Sequence, residues 1–235
     1  MSGQDRLQIG FLIFPHLTQL DLTGPFEVLA RIKTADVHLI WKNLDPITSD
    51  IGLRILPTTT IGDCPDLDVI CIPGGPGVNE LLNDDEVIEF VRRQGEQARY
   101  VTSVCTGALV LGAAGLLQGY RAATHWAALR FLEQLGATPV ATRVCIDRNR
   151  ITGGGVTAGI DFGLLLSEQL ASRKDAEKIQ LYLEYNPKPP FNAGTPDTAP
   201  PEVVSEFRND AGAMIESRRV AVERASRRLA QTSPK

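Results

Sequence analysis

Short apolar or β-branched runs alternate along this chain with longer stretches whose apolar positions recur every three or four residues. Leu7–Phe14, Val37–Trp41, Val69–Pro73 and Tyr100–Val104 belong to the first kind and predict strands covered on both faces. The second kind predicts helices over Asp84–Gln97, after Cys105, over Ala127–Leu135 up to Gly136, and over Gly159–Leu170 and Lys174–Tyr185. A short helix is expected at Pro25–Ile32, opened by Thr23-Gly24-Pro25, with Thr23 as N-cap and Pro25 in the first turn. Residues 51–60 read as a hairpin arm or edge strand. Val140–Asp147 and Arg150–Thr152 flank Arg148-Asn149 and read as a hairpin. Repeated strand–helix units imply an α/β fold with a mostly parallel sheet between two helical layers. Ligands in such folds sit beyond the carboxyl ends of the strands, where Cys105 and Gly74-Gly75 fall on this reading.

The texture changes at Asn186. Six prolines between Asn186 and Pro201 predict an extended, stiff segment, and Phe191 within it suggests that it lies on the protein. One final helix, Glu202–Ala230, is expected to follow. Its apolar residues at 207, 211, 214, 215, 222, 225 and 229 form one stripe, to be packed on the body or on a second subunit. Its arginines (208, 218, 219, 224, 227 and 228) read as a solvated face. The organisation expected is an α/β domain over residues 1–186, with 187–235 as a proline-rich segment and helix packed on that domain or on its dimer partner.

Composition narrows the function classes. At 235 residues, with 43% hydrophobic and 22% charged side chains, the chain can bury a proper core. A net charge of −4 argues against a nucleic-acid surface. The apolar run Ile9–Pro15 is too short to span a bilayer, and neither a signal peptide nor a membrane helix is expected. Four cysteines and three histidines show neither CxxC nor HxxxH, so no metal site is expected. Reduced thiols point to a cytoplasmic protein.

The chemistry concentrates at Tyr100-Val-Thr-Ser-Val-Cys105-Thr-Gly107. A buried strand stops at a cysteine and small residues at helical spacing begin, which places the thiol at a strand-to-helix corner. There the N–H groups and positive end of the following helix favour thiolate, as in the serine elbow of hydrolases. Cys105 is therefore the candidate nucleophile. Thr106 after it either hydrogen-bonds through its hydroxyl or merely starts the helix. Asp21 precedes a helix between Leu20 and Leu22. Partial burial there would raise its pKa and let it carry a proton, although a carboxylate at a helix entry is also ordinary. Gly74-Gly75-Pro76-Gly77 lacks the residues of a phosphate loop. It reads as a turn that brings backbone N–H groups to a ligand in the manner of an oxyanion hole, or simply as a tight turn. Gly153-Gly154-Gly155 is similar, with Val156 and Thr157 beyond it placed to line a pocket. His125 reads as structural.

These residues resemble the DJ-1/PfpI superfamily nearly end to end. The motifs are Phe14-Pro through Asp21-Leu-Thr-Gly-Pro25, Ile72-Pro-Gly-Gly75, Thr102-Ser-Val-Cys-Thr-Gly107, Ala113-Ala-Gly-Leu-Leu-Gln-Gly119, Ala123-Thr-His-Trp126 and Thr152-Gly-Gly-Gly155. The resemblance implies a flavodoxin-like three-layer sandwich, a homodimer with the site near its interface, and no cofactor. It implies Cys105 as a nucleophile in a strained conformation, Asp21 as its acid/base partner, Thr106 bonded near Asp21, and the Gly75 amide in an anion pocket. Asp161 and the Pro-Pro-Phe-Asn-Ala-Gly194 segment bring the chain nearest to the isocyanide-hydrating members, which implies a small-molecule isocyanide substrate. Protease-like members carry histidine where this chain has Thr106, which weakens a peptidase reading. The competing readings are a ligand-binding or redox-sensing protein, a glyoxalase-type enzyme using the same cysteine, and a regulator's effector domain, for which too little chain follows Asn186 to form a DNA-reading helix pair.

Overall fold

The structure, a computed structural model, describes residues 6–232, so the outermost residues of the two segments expected above lie outside it. In chain order the elements begin β1 (Leu7–Leu12), α1 (Gln19–Leu29), β2 (Ala35–Trp41), β3 (Ile47–Thr48), β4 (Arg54–Ile55), β5 (Thr59–Thr60), β6 (Val69–Ile72), α2 (Val78–Leu81), α3 (Asp85–Gln97), β7 (Tyr100–Val104) and α4 (Gly107–Ala113). They continue β8 (Arg121–Ala122), two 3-10 turns (Trp126–Phe131 and Glu133–Leu135), β9 (Thr138–Pro139), β10 (Val144–Asp147), β11 (Arg150–Gly153), α5 (Ala158–Leu170), α6 (Arg173–Tyr182), α7 (Pro201–Asp210) and α8 (Gly212–Thr232).

Seven strands form one sheet in the order β10-β11-β7-β6-β1-β2-β5, with every pairing parallel except the β10–β11 hairpin. The expected α/β three-layer sandwich is thus present. Strand β6 is buried at all four positions, as a central parallel strand covered on both faces must be. Helices α1, α5 and α6 pack together as one layer, and α3, α4 and α8 as the other. From β1 the chain runs outward to β2, then returns to the other side of β1 to lay down β6, β7 and β11. The loops after β1 and β6 therefore flank the point where strand order reverses, the place where this architecture opens a crevice.

Several expected elements are moved. Helix α1 begins six residues before Pro25 and contains it. Pro25 is retained because its ring packs on α5: a Cβ built on Gly159 would lie 2.8 Å from Pro25 Cδ. The helix expected at 127–135 is wound as two 3-10 turns, closed at Gly136 in the left-handed region (φ 81°). Residues 51–60 divide between the small β3–β4 ladder and the edge strand β5. The C-terminal helix is two, α7 and α8, broken at Ala211-Gly212, where glycine weakens helix. Helix α8 buries Ala221, Val222 and Ala225 against its own chain. Phe191 does not anchor the proline-rich segment, since it is 80% exposed.

Candidate active site

Four loops meet at the carboxyl edge of the sheet, and each brings one part of the site. After β7 the chain turns at Cys105, whose φ is 52°. A side-chain-bearing residue held in that left-handed region costs on the order of 1–3 kcal/mol and persists only where its surroundings fix it. Here they do: Cys105 N–H donates to the Gly153 carbonyl at 3.0 Å, and Thr124 Oγ1 donates to the Cys105 carbonyl at 2.7 Å. The thiol is thereby held at the corner, with Cys105 only 6% exposed.

After β1, helix α1 opens from Thr18, and Asp21 sits in its first turn with no solvent exposure. After β6, the Gly74 N–H donates to Asp21 Oδ2 at 2.9 Å, and the Gly75 N–H donates to Thr106 Oγ1 at 3.0 Å. Close approach requires glycine at both positions. A Cβ on Gly74 would stand 2.8 Å from Asp21 Oδ2 and 2.7 Å from Thr106 Oγ1. Gly75 has φ 138°, and a Cβ there would strike Thr18 N at 2.5 Å. The two amides expected to face an anion are thus both occupied: they fix the carboxylate and hydroxyl beside Cys105. Thr106 does both things left open by its sequence, heading α4 as N-cap and accepting from Gly75.

The electrostatics run against one expectation. Burial, then the nearby Asp21 carboxylate, push the Cys105 thiol well above its usual range, and the Thr106 N–H only partly offsets them. The start of helix α4 favours the anion through the Thr106 N–H, and burial outweighs it. Asp21 is itself pushed up to about 7, chiefly by burial, while the Gly74 N–H and the Cys105 thiol pull it down. Its Oδ1 is buried with no hydrogen-bond partner, even though the thiol lies near enough to stabilise the carboxylate. Two buried acids side by side titrate as a pair and retain a proton between them at neutral pH. An Asp21 carboxylate beside the thiol can accept its proton, which is the route to thiolate that this pairing offers.

The remaining candidates fall around this pair. Val156 lies three residues past Gly153, half-buried against the core on the loop that leads from β11 to α5. His125 is not paired with the thiol. Its Nδ1 accepts from Ala127 N–H at 3.3 Å, and burial lowers its pKa, consistent with a structural role. Arg218, expected on a solvated face, is instead buried against the Gly74-Gly75 turn. The signal was present, because 215, 218, 222 and 225 fall on one helical stripe. Arg143 was also missed; it ties Asp161, Tyr185 and the Thr157 carbonyl together at the start of α5. Surface clefts of about 560 Å³ beside Arg31 and Tyr182 and about 750 Å³ beside Trp126 and Ile215 are not lined by Cys105. Among the described residues, no group of three or more His, Cys, Asp or Glu side chains is arranged to hold a metal ion, and no helix is long and apolar enough to cross a membrane.

The chain is similar in sequence and fold to known proteins. The DJ-1/PfpI family pattern matches residues 8–169. The isonitrile hydratase of Pseudomonas putida is 57% identical over 95% of this chain and 98% of its own length. A crystal structure of a THiJ/PfpI family protein from Pseudomonas syringae superposes with a TM-score of 0.90 at 44% identity, covering 92% of this chain and 90% of that one. The HTH-type transcriptional regulator GbdR of Pseudomonas aeruginosa is 31% identical over 70% of this chain, but only 47% of the regulator is covered.

Proposed function

The chain belongs to the DJ-1/PfpI family, and from that premise we propose that it is an isocyanide hydratase, adding water to R–NC to give an N-substituted formamide. The observation that carries the reading is the pairing of Cys105, on a strained corner, with a fully buried Asp21 whose pKa lies at about 7. The likeness to the Pseudomonas putida isonitrile hydratase along nearly the whole of both chains supports the same substrate class.

In this reading the Asp21 carboxylate accepts the Cys105 proton as sulfur bonds to the terminal isocyanide carbon. Asp21 then returns that proton to the same carbon, leaving a thioimidate, R–N=CH–S–Cys105. With Asp21 again ionised, it removes a proton from water as the water oxygen adds to that carbon, and hands that proton to the nitrogen, giving R–NH–CH(OH)–S–Cys105. Collapse expels sulfur, which takes the hydroxyl proton by way of Asp21, and releases R–NH–CHO with the thiol restored. The Gly74 and Gly75 amides hold Asp21 and Thr106 in register for both proton transfers, and Val156 borders the space for the R group. Proton transfer by a placed carboxyl contributes about 100- to 10,000-fold. No cofactor enters the scheme. A homodimer and a cytoplasmic setting go with the reading, and nucleic acid has no part in it.

The test is incubation with an aryl isocyanide, following formamide by absorbance. Steady formamide production is expected. No formamide, with glyoxal consumed instead, would move the chain to the glyoxalase-type reading.

A further inference from the structure

The family pattern ends at residue 169, yet one side chain at the site comes from beyond it. Arg218 on α8 is only 3% exposed. Its Nε donates to Asn79 Oδ1 at 2.8 Å and its Nη2 to the Gly75 carbonyl at 3.2 Å. Neither acceptor is charged, so the guanidinium keeps its positive charge in a place where burying an ion is costly. The N–H of Gly75 bonds to Thr106, the neighbour of Cys105, at 3.0 Å. One residue of the turn thus joins the arginine to the nucleophile's corner.

We propose that Arg218 is a positioning residue for Cys105: its fixed charge stabilises the sulfur anion, and its grip on the Gly75 carbonyl sets the turn that holds Thr106. The charges around the sulfur make this role specific. Asp21 from α1, with Asp50 acting on it in turn, opposes the anion. The Thr106 N–H and Arg218 favour it. His125 is held towards neutrality by burial and by Arg218 itself, so it supplies no rival cation. The C-terminal helix, outside the matched family span, thereby tunes the thiol. The inference rests on Cys105 being the reactive thiol, and needs no particular substrate.

The experiment is iodoacetamide alkylation of Cys105 across pH, read by peptide mass spectrometry, in the wild type and in Arg218→Met, Arg218→Gln and Arg218→Lys. Loss of the charge is expected to raise the alkylation midpoint by about one pH unit and to slow alkylation at pH 7 about tenfold. Arg218→Gln, able to keep a hydrogen bond to Gly75, should shift like Arg218→Met, whereas Arg218→Lys should recover at least half of the shift. A folded Arg218→Met or Arg218→Gln with the wild-type midpoint would overturn the proposal. So would Arg218→Lys shifted as far as the neutral variants, or failure of both neutral variants to fold by circular dichroism, which would assign Arg218 to the fold alone. Because no isocyanide is used, an inactive wild type with these shifts intact would count against the proposed function and leave this inference standing.

Discussion

The Gly74 N–H reaches Asp21 Oδ2 at 2.9 Å, across 53 residues of sequence, and the other carboxylate oxygen is buried with no hydrogen-bond partner. A buried acceptor left unpaired costs about 1–3 kcal/mol, so the group favours its protonated form and sits poised between acid and base. In the proposed mechanism that poise, next to a thiol whose own proton is held tightly by burial, lets one proton serve both residues.

The pH dependence follows directly. Below about 7 Asp21 is protonated and has no room for the thiol proton. kcat/KM for formamide formation is therefore expected to rise with pH along an acid limb centred near 7. A limb near 4, where an ordinary exposed aspartate titrates, would remove Asp21 from the role of base.

Asp21→Asn separates chemistry from stability. Turnover is expected to fall about 100- to 10,000-fold. The folded-state pKa of Asp21 is raised, from 3.8 to about 7, so the folded chain binds this proton more tightly than the unfolded chain. Wild-type stability is therefore lost as pH climbs from about 4 to 7, and above 7 the full cost is present. The variant should be more stable than wild type at pH 8 by up to about 4 kcal/mol, with the gap closing towards pH 4. Urea unfolding at both pH values reads this, and a gap independent of pH would contradict it.

Gly74→Ala places a methyl group 2.6 Å from Thr106 N and 2.8 Å from Asp21 Oδ2. Both neighbours must shift, because one is backbone and the other a carboxylate on a packed helix. The expected outcome is at least a tenfold loss of kcat with destabilisation of about 1–3 kcal/mol. Unchanged kcat in a folded variant would show that this turn does not position the pair.

Thr124→Val is nearly the same shape but cannot donate to the buried Cys105 carbonyl at 2.7 Å. A cost of about 1–3 kcal/mol is expected, with a lower kcat as the positive φ of Cys105 loses a constraint. Thermal unfolding together with steady-state kinetics checks both, and wild-type values for each would assign that conformation to the Gly153 contact alone.

Much of this was legible in the sequence, and what was missed has identifiable causes. The corner at Cys105 was readable because strand periodicity stops there and small residues at helical spacing start. Asp21 was readable through its leucine neighbours, which place it on a buried turn. The start of α1 was misjudged because Pro25 normally opens a helix, and its packing against Gly159 of α5 is a tertiary fact. Between 126 and 135 the buried positions 128, 131, 132 and 135 specify a face but not the winding. Over so few residues, spacings of three and four suit a 3-10 turn as well as an α-helix. Strands β3, β4 and β5 are two residues each, too short to leave a periodic trace. Arg218 was hidden by its own charge: it falls on the apolar stripe of α8, but an arginine among arginines reads as solvated until the turn it grips is seen. The occupied amides of Gly74 and Gly75 depend on contacts 53 and 31 residues away, which no local pattern encodes.

The most direct test of the nucleophile is to give Cys105→Ala an aryl isocyanide under conditions in which the wild type turns it over, and to measure formamide. No formamide above the uncatalysed background is expected from a folded variant. Substantial formamide from that variant would contradict the role of Cys105 as nucleophile.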